Sequence, residues 1–378
     1  MQPFEYSGAN GPSRVIFGQG SVSKLPDEVK RLGKSAPLLL STPQQKEQVQ
    51  ALDGVLKNGS ITPVGLYSNA TMHTPTHITD EALQYAKDCN ADCVISFGGG
   101  STIGLGKAIS IRTGLQHICI PTTYAGSKQP TRHCICMPLM ILGDMTPILG
   151  ETADGKKTTR SDPKILPTTT IYDVDFTMTL PESMSATSGV NAIAHAVEAL
   201  YARNTNPVIN LLSLDGTKAL AESLPIIVNS LQDVEARSRA QYGAWLCGMV
   251  LGAVGMSLHH KLCHTLGGSF NLPHAETHTI VLPHAIAYNA PNIPETMRKL
   301  AEVLPESDGD AIKGLNVLLT KLKVKRGLKE FGMKEEDVDK AAEIAVSNPY
   351  WNPRDIEKEP LRETIRRCWA GEEARADL

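Results

Sequence analysis

Six of the chain's 11 histidines lie between His259 and His284, and three of them carry a spacing that suits chemistry. His260 and His264 stand one helical turn apart, and His274 follows ten residues later in Asn271-Leu272-Pro273-His274. Upstream, the stretch Gly189-Val190-Asn191-Ala192-Ile193-Ala194-His195-Ala196-Val197-Glu198 places Asn191 and His195 four apart on an otherwise apolar helix. Residues four apart share a helix face, so each helix presents two polar heads in one direction. A bundle of helices builds a metal site or a proton-transfer site in this way. A metal site would want a carboxylate among its donors, and that place holds Asn191. Each imidazole alone would read as a hydrogen-bonded core histidine; the spaced set reads as a site.

A second candidate is the turn Phe97-Gly98-Gly99-Gly100-Ser101, which follows an apolar strand and opens a helical segment through Lys107. Consecutive glycines let a backbone approach a diphosphate closely, and the free N–H groups of a helix start favour the anion. The dinucleotide fingerprint fails at Ile103, and the P-loop pattern fails at Ser101 and Ala108. A plain structural turn is the competing reading. Pro121-Thr122-Thr123 adds hydroxyls at the same sheet edge, where ligands of open α/β sheets sit. At the end of the second strand, Leu40-Ser41-Thr42-Pro43 has no acid to repel a 2′-phosphate, so NADPH is expected to be accepted as well as NADH.

The elements that must position these groups fall into two halves. Arg14-Val15-Ile16-Phe17, Pro37-Leu38-Leu39-Leu40, Cys93-Val94-Ile95-Ser96-Phe97 and His117-Ile118-Cys119-Ile120 read as buried strands, alternating with helical stretches such as 79–89. That alternation predicts a parallel sheet covered by helices. From Pro181 the patterns are long and helical, over 182–202, 207–230 and 233–258, with shorter segments beyond. The fold class is therefore α/β plus all-α: a Rossmann-like nucleotide-binding domain over 1–180 and a helical catalytic domain over 181–378. The length of 378 residues supports two such cores. A net charge of -3 gives no electrostatic case for nucleic acid or an anionic membrane. No run approaches the roughly 20 apolar residues of a membrane span, and Met1-Gln2-Pro3-Phe4 lacks the form of a secretory signal. Eight cysteines at these spacings do not form a disulfide framework, which makes a reducing, cytoplasmic setting the expectation.

Together the Gly98-Gly99-Gly100-Ser101 turn, Pro121-Thr122-Thr123, the Asn191-to-His195 helix and His260-x-x-x-His264 with Pro273-His274 resemble the iron-containing alcohol dehydrogenase family. The resemblance covers nearly the whole chain and implies that family's dehydroquinate synthase-like architecture. Within the family, Tyr124-Ala125-Gly126-Ser127, His259-His260-Lys261-Leu262-Cys263-His264 and the stretch from Asn348-Pro349-Tyr350 through Asn352-Pro353-Arg354 are of the maleylacetate reductase type. The family holds its metal, iron or zinc, with one Asp and three His. Residue by residue those slots are Asn191, His195, His260 and His274 here, while His264 falls beside the nicotinamide. A neutral amide in the acid's place weakens the hold on a divalent ion. The resemblance implies NAD(P)H-dependent reduction of the conjugated C=C of maleylacetate to 3-oxoadipate, within the degradation of aromatic compounds. Hydride delivered to that alkene gives an enolate, which imidazoles can stabilise and protonate. His260 and His264 are the expected proton donors, with His195 and His274 shaping the pocket. Gly98, Gly99, Gly100, Ser101, Thr122, Thr123, Ser41 and Thr42 are the expected cofactor contacts, and Lys261, Tyr124 and Arg354 the expected substrate contacts. The expected partner is a small dicarboxylate keto-acid, with a homodimer as the commonest assembly.

One segment departs from the subgroup's pattern. Ser127 is followed by residues 128–143 before Asp144-Met145-Thr146-Pro147 resumes it. His133, Cys134 and Cys136 lack a second ligand pair for a metal. Ser127-Lys128 can be encoded with a GTAAG donor and Leu142-Gly143 with a TAG acceptor, so a retained intron is the reading. If translated, the segment would sit by the cofactor and impair the enzyme. The rival functions are a metal-dependent dehydrogenase of small alcohols or aldehydes, a lyase that uses NAD transiently, and an inactive homologue.

Overall fold

The computed structural model describes residues 14–71, 74–124, 148–153 and 156–378, which fall into two compact units: the described residues up to Leu180, and Pro181–Leu378. Residues 128–143, with His133, Cys134 and Cys136, lie outside the described residues.

The first unit runs β1 (Arg14–Phe17), α1 (Leu25–Arg31), β2 (Pro37–Leu40), α2 (Lys46–Asn58), β3 (Gly65–Tyr67), α3 (Thr76–Asp88), β4 (Cys93–Gly98), α4 (Gly100–Thr113), β5 (Gln116–Pro121), β6 (Ile148–Ala153), β7 (Lys156–Ser161) and β8 (Thr169–Tyr172). Six strands form one sheet in the order β1-β8-β5-β4-β2-β3, each pairing parallel, and β6 and β7 form a separate antiparallel hairpin. The apolar runs are continuous because both faces are covered. Leu39, Ile95, Phe97, Ile118 and Ile120 pack with Val29, Leu52 and Leu56 on one face. Leu38, Leu40 and Val94 pack with Ala82, Leu105 and Ile109 on the other. Helix α4 lies close to the sheet because Gly106 has no side chain: a Cβ there would stand 2.3 Å from both His117 Nε2 and Ser96 Oγ.

The second unit contains α5 (Glu182–Tyr201), α6 (Pro207–Asn229), α7 (Val234–Leu251), α8 (Leu258–Phe270), α9 (His274–Asn289), α10 (Pro294–Val303), α11 (Ala311–Lys321), α12 (Asp337–Ser347) and α13 (Lys358–Ala370). Helix α5 is buried at every residue from Ser185 to Tyr201, so it runs through the middle of the bundle and its polar side chains must find partners there. Asn206 starts α6 by accepting from the Val208 and Ile209 N–H groups, and Asp233 starts α7 by accepting from Ala236 N–H. Helix α8 ends at Asn271 in the left-handed region (φ 53°), which turns the chain through Pro273 into α9. Leu262 and Leu266 of α8 then join Leu272, Ile280 and Val281 in one apolar cluster, fixing the two histidine-bearing helices against each other. No helix among the described residues is long and apolar enough to cross a membrane.

Candidate active site

In the α/β unit the expected cofactor contacts gather at the C-terminal edge of the sheet. Gly98 ends β4 with φ 145° and Gly99 precedes the first residue of α4. A Cβ on Gly98 would come within 2.6 Å of Gln45 Oε1 and 2.7 Å of Thr102 Oγ1, and one on Gly99 within 3.1 Å of Thr123 Oγ1. Thr122 N–H donates to the Gly98 carbonyl (3.2 Å), and Gln45 Nε2 donates to Thr122 Oγ1 (3.0 Å). Thr42 Oγ1 reaches Gln45 Oε1 at 3.3 Å, and Ser41 is fully buried at the end of β2. The turn is therefore a cradle that side chains at 98 and 99 would fill, beside the open N-terminus of a helix. That fits the diphosphate of a dinucleotide. Gln45, unassigned by the sequence, ties the ends of β2 and β5 together across it.

In the helical unit, α5, α8 and α9 bring His195, His260, His264 and His274 into one buried cluster, each at most 6% exposed. The His195 and His260 rings are 5.3 Å apart, and His260 and His264 are 6.0 Å apart. His278 stands between the helices, 5.1 Å from the His260 ring and 4.1 Å from that of His274. His259 completes the cluster and donates from Nε2 to the His278 carbonyl (3.0 Å). His260 Nδ1 lies 2.6 Å from Glu198 Oε2, and His264 Nδ1 lies 3.0 Å from the Tyr350 hydroxyl. Each imidazole of the α8 pair is thus oriented through the same ring nitrogen.

Burial sets the protonation of this cluster. His195 and His278 are held well below the ordinary imidazole value by desolvation, then by the neighbouring rings. His259 is lowered to about 4 for the same reasons. Desolvation alone would raise Glu198, but the charge and hydrogen bond of His260 and the Ser257 N–H outweigh it and hold the carboxyl low. The cluster therefore contains one buried carboxylate beside imidazoles, His195, His259 and His278, that burial keeps neutral.

The expected donors Asn191, His195, His260 and His274 would offer a divalent ion no anion. Asn191 is fully buried, neither of its amide atoms has a hydrogen-bond partner among the described residues, and it contributes no charge. The donor triples that come within 4.8 Å of one another among the described residues are Glu198, His259 and His260, and His259, Cys263 and His278. Neither is the set expected from the sequence. In the first, Glu198 is already engaged by His260 Nδ1 and by the His259 N–H. In the second, burial keeps the Cys263 thiol protonated, and His259 Nε2 is given to a carbonyl.

Lys261 is half-buried on α8, with Nζ 5.6 Å from the centre of the Tyr350 ring, and burial lowers its ammonium from the ordinary value. Arg354 is placed elsewhere: its guanidinium donates to the Tyr288 carbonyl (2.7 Å) and the Leu378 carbonyl (3.0 Å) and stacks 4.3 Å from the Tyr288 ring centre. Lys261 is therefore the expected cation that stands beside the histidines. Tyr124 is buried just beyond β5 in the α/β unit. Glu198, His259, His278 and Tyr350 have no role assigned from sequence. Glu198 had a signal, because it lies three residues after His195 as an acid in an apolar helix. Tyr350 had none beyond its subgroup-type neighbours.

Comparison with known proteins shows the family. The family model described as iron-containing alcohol dehydrogenase matches residues 12–174, and that of the family's C-terminal part matches residues 185–369. A maleylacetate reductase of Rhizobium sp. is 48% identical over 371 residues, covering 98% of this chain and 99% of the relative. Another, of Sphingobium indicum, is 47% identical over 360 residues, covering 95% of this chain and 96% of the relative. The crystal structure of maleylacetate reductase from Agrobacterium tumefaciens matches with a TM-score of 0.90 and 47% identity, over 99% of this chain and 100% of that one. An iron-containing alcohol dehydrogenase from Corynebacterium glutamicum matches at 0.88 and 34%, over 98% of each chain.

Proposed function

The chain belongs to the iron-containing alcohol dehydrogenase family, and from that premise we propose that it is an NAD(P)H-dependent maleylacetate reductase. A bound dihydronicotinamide would supply hydride to the alkene carbon β to the ketone, leaving the substrate as an enolate. The chain's own residues then handle an enolate and two carboxylates. Gly98, Gly99, Gly100, Ser101, Thr122 and Thr123 hold the cofactor's phosphates, with Ser41 and Thr42 at the neighbouring strand end. His260 and His264 supply hydrogen bonds to the enolate oxygen and the proton that adds at the carbon next to the ketone. His195 and His274 wall the pocket, and Tyr124 of the α/β unit is a further substrate contact. Lys261 takes a substrate carboxylate.

The observation that carries this reading is the shared orientation of the α8 pair, His260 held at Nδ1 by Glu198 and His264 by Tyr350. An imidazole anchored at one ring nitrogen exchanges its proton through the other, the arrangement general acid–base work requires. The conjugated substrate also relieves the site of activating an isolated carbonyl, which is where a Lewis acid serves an alcohol dehydrogenase.

The test is cofactor oxidation with maleylacetate, using NADH and NADPH in turn, with and without a chelator, on the chain with and without residues 128–143. Oxidation of both cofactors, indifferent to chelator and absent with simple alcohols and aldehydes, is expected. Turnover of small alcohols that depends on added iron or zinc, with none of maleylacetate, would overturn it.

A further inference from the structure

Glu198 is the cluster member that ties α5 to the start of α8. It is fully buried on α5, and its partners on α8 lie 59 to 62 residues along the chain. Oε2 accepts from Ser257 N–H (3.0 Å) and from His260 Nδ1 (2.6 Å); Oε1 accepts from His259 N–H (2.7 Å) and from the Tyr201 hydroxyl (3.3 Å). Ser257 and His259 are the entry to α8, so a carboxylate from one helix caps the start of another. The side chain of Ser257 does not cap its own helix. Its Oγ lies 2.8 Å from both the Trp351 carbonyl and Asn352 Oδ1, next to the Tyr350 that holds His264. His260 Nε2 is buried with no hydrogen-bond partner among the described residues.

We infer that Glu198 is a positioning residue for the reduction: it keeps a proton on His260 Nδ1 and stabilises the ring when Nε2 is protonated as well, so that the proton given to the enolate leaves Nε2 and the neutral Nδ1–H ring remains. This inference rests on the reductase reading for its substrate, but the geometry that carries it does not. The logic is that of the buried acid in a hydrolase triad, which orients an imidazole, fixes its tautomer and stabilises the charge the ring carries when protonated. With an ionised carboxylate at 2.6 Å, the Nδ1–H form is strongly favoured over the Nε2–H form. The isosteric amide of Glu198→Gln reverses this. It would keep Oε1 for the His259 N–H, and its NH₂, in the place of Oε2, would meet His260 Nδ1 as a donor, turning the ring to the other tautomer and costing the Ser257 N–H that acceptor.

The experiment compares wild type with Glu198→Gln and Glu198→Asp. Kinetics are read together with the ring nitrogens of His260 in ¹⁵N-histidine-labelled protein, assigned by loss of the signal in His260→Gln. In wild type, Nδ1 is expected to carry the proton without substrate. In Glu198→Gln the proton moves to Nε2 and kcat falls on the order of 100-fold, the loss of general acid catalysis through the ring. The keto-acid KM and nicotinamide binding change less than about threefold, and Glu198→Asp recovers part of kcat. A residue that only capped α8 would lower thermal stability and leave the tautomer and kcat of the folded fraction as they were; that result overturns the inference. Should Glu198→Gln fail to fold, the wild-type spectrum decides alone, since an unprotonated His260 Nδ1 is equally fatal. A wild type with Nδ1–H that does not reduce maleylacetate refutes the substrate assignment and leaves the Glu198–His260 coupling standing.

Discussion

His284 lies on α9, is 4% exposed, and is lowered from 6.5 to about 4 by desolvation and then by Arg326 and Arg367, against a smaller opposing effect of Glu372. The folded ring stays neutral where the unfolded ring binds a proton, so acid favours unfolding. Stability rises with pH wherever the unfolded state holds more protons. The loss therefore begins as pH falls through 6.5 and stops near 4, where the native ring also protonates. Across that window this one histidine is worth about 3 kcal/mol, of which about 1 kcal/mol is gone between roughly pH 7 and 5.5. His284→Gln removes the titration and keeps most of the volume. It is expected to be less stable than wild type at neutral pH, with the gap closing by about 1 kcal/mol at the lower pH. Other groups titrate in both proteins and cancel from the difference. The assay is urea unfolding followed by tryptophan fluorescence. The chain's 3 tryptophans, Trp245, Trp351 and Trp369, all lie in the helical unit that contains His284, so the signal reports the relevant unit. A gap that stays constant to within a few tenths of a kcal/mol would show that the buried ring protonates as freely as an exposed one.

Two further substitutions probe the site. Lys261→Ala, which removes the half-buried ammonium beside Tyr350, should raise the KM for maleylacetate roughly tenfold or more, the worth of a hydrogen bond to a charged group. The KM for the nicotinamide cofactor should hardly move, and an unchanged keto-acid KM takes Lys261 out of the substrate pocket. Asn191→Asp puts a carboxylate where no partner is waiting, which should destabilise the fold by about 3 kcal/mol and lower Tm. Added zinc should restore Tm in that variant and leave wild type unmoved; an equal response in both would mean that the amide-containing set already holds metal.

The strands that were legible from sequence are those buried on both faces. The runs at 14–17, 37–40, 93–97 and 117–120 correspond to β1, β2, β4 and β5, whose boundaries differ from them by at most one residue. Gly65-Leu66-Tyr67 of β3 and Thr169-Thr170-Ile171-Tyr172 of β8 carried no apolar run, because their strand character comes from pairing with β2, β5 and β1. The hairpin β6–β7 was missed because Lys156-Lys157-Thr158-Thr159-Arg160-Ser161 has no apolar pattern at all. Helices α5 and α6 match their patterns closely, while the stretch expected through 258 stops at Leu251. Gly252-Ala253-Val254-Gly255 is apolar enough to continue a helix on paper, but glycine is a poor helix former and Gly252 ends it.

The histidine spacing could be read because an i,i+4 relation is local, whereas the anion of the same site could not be placed locally. Asn191, His195 and Glu198 stand at i, i+4 and i+7, one face of α5. The helix therefore does carry an acid on the face that meets α8, two turns beyond the position where a metal site would want it. From there its carboxylate meets His260 at Nδ1 and the N–H groups that open α8. Moving the negative charge from the donor position to the far side of an imidazole replaces an anion for a cation with an anion for a protonated ring. On the proposed function that anion serves His260 as a proton donor to an enolate, and the difference turns on where one carboxylate sits along a single helix face.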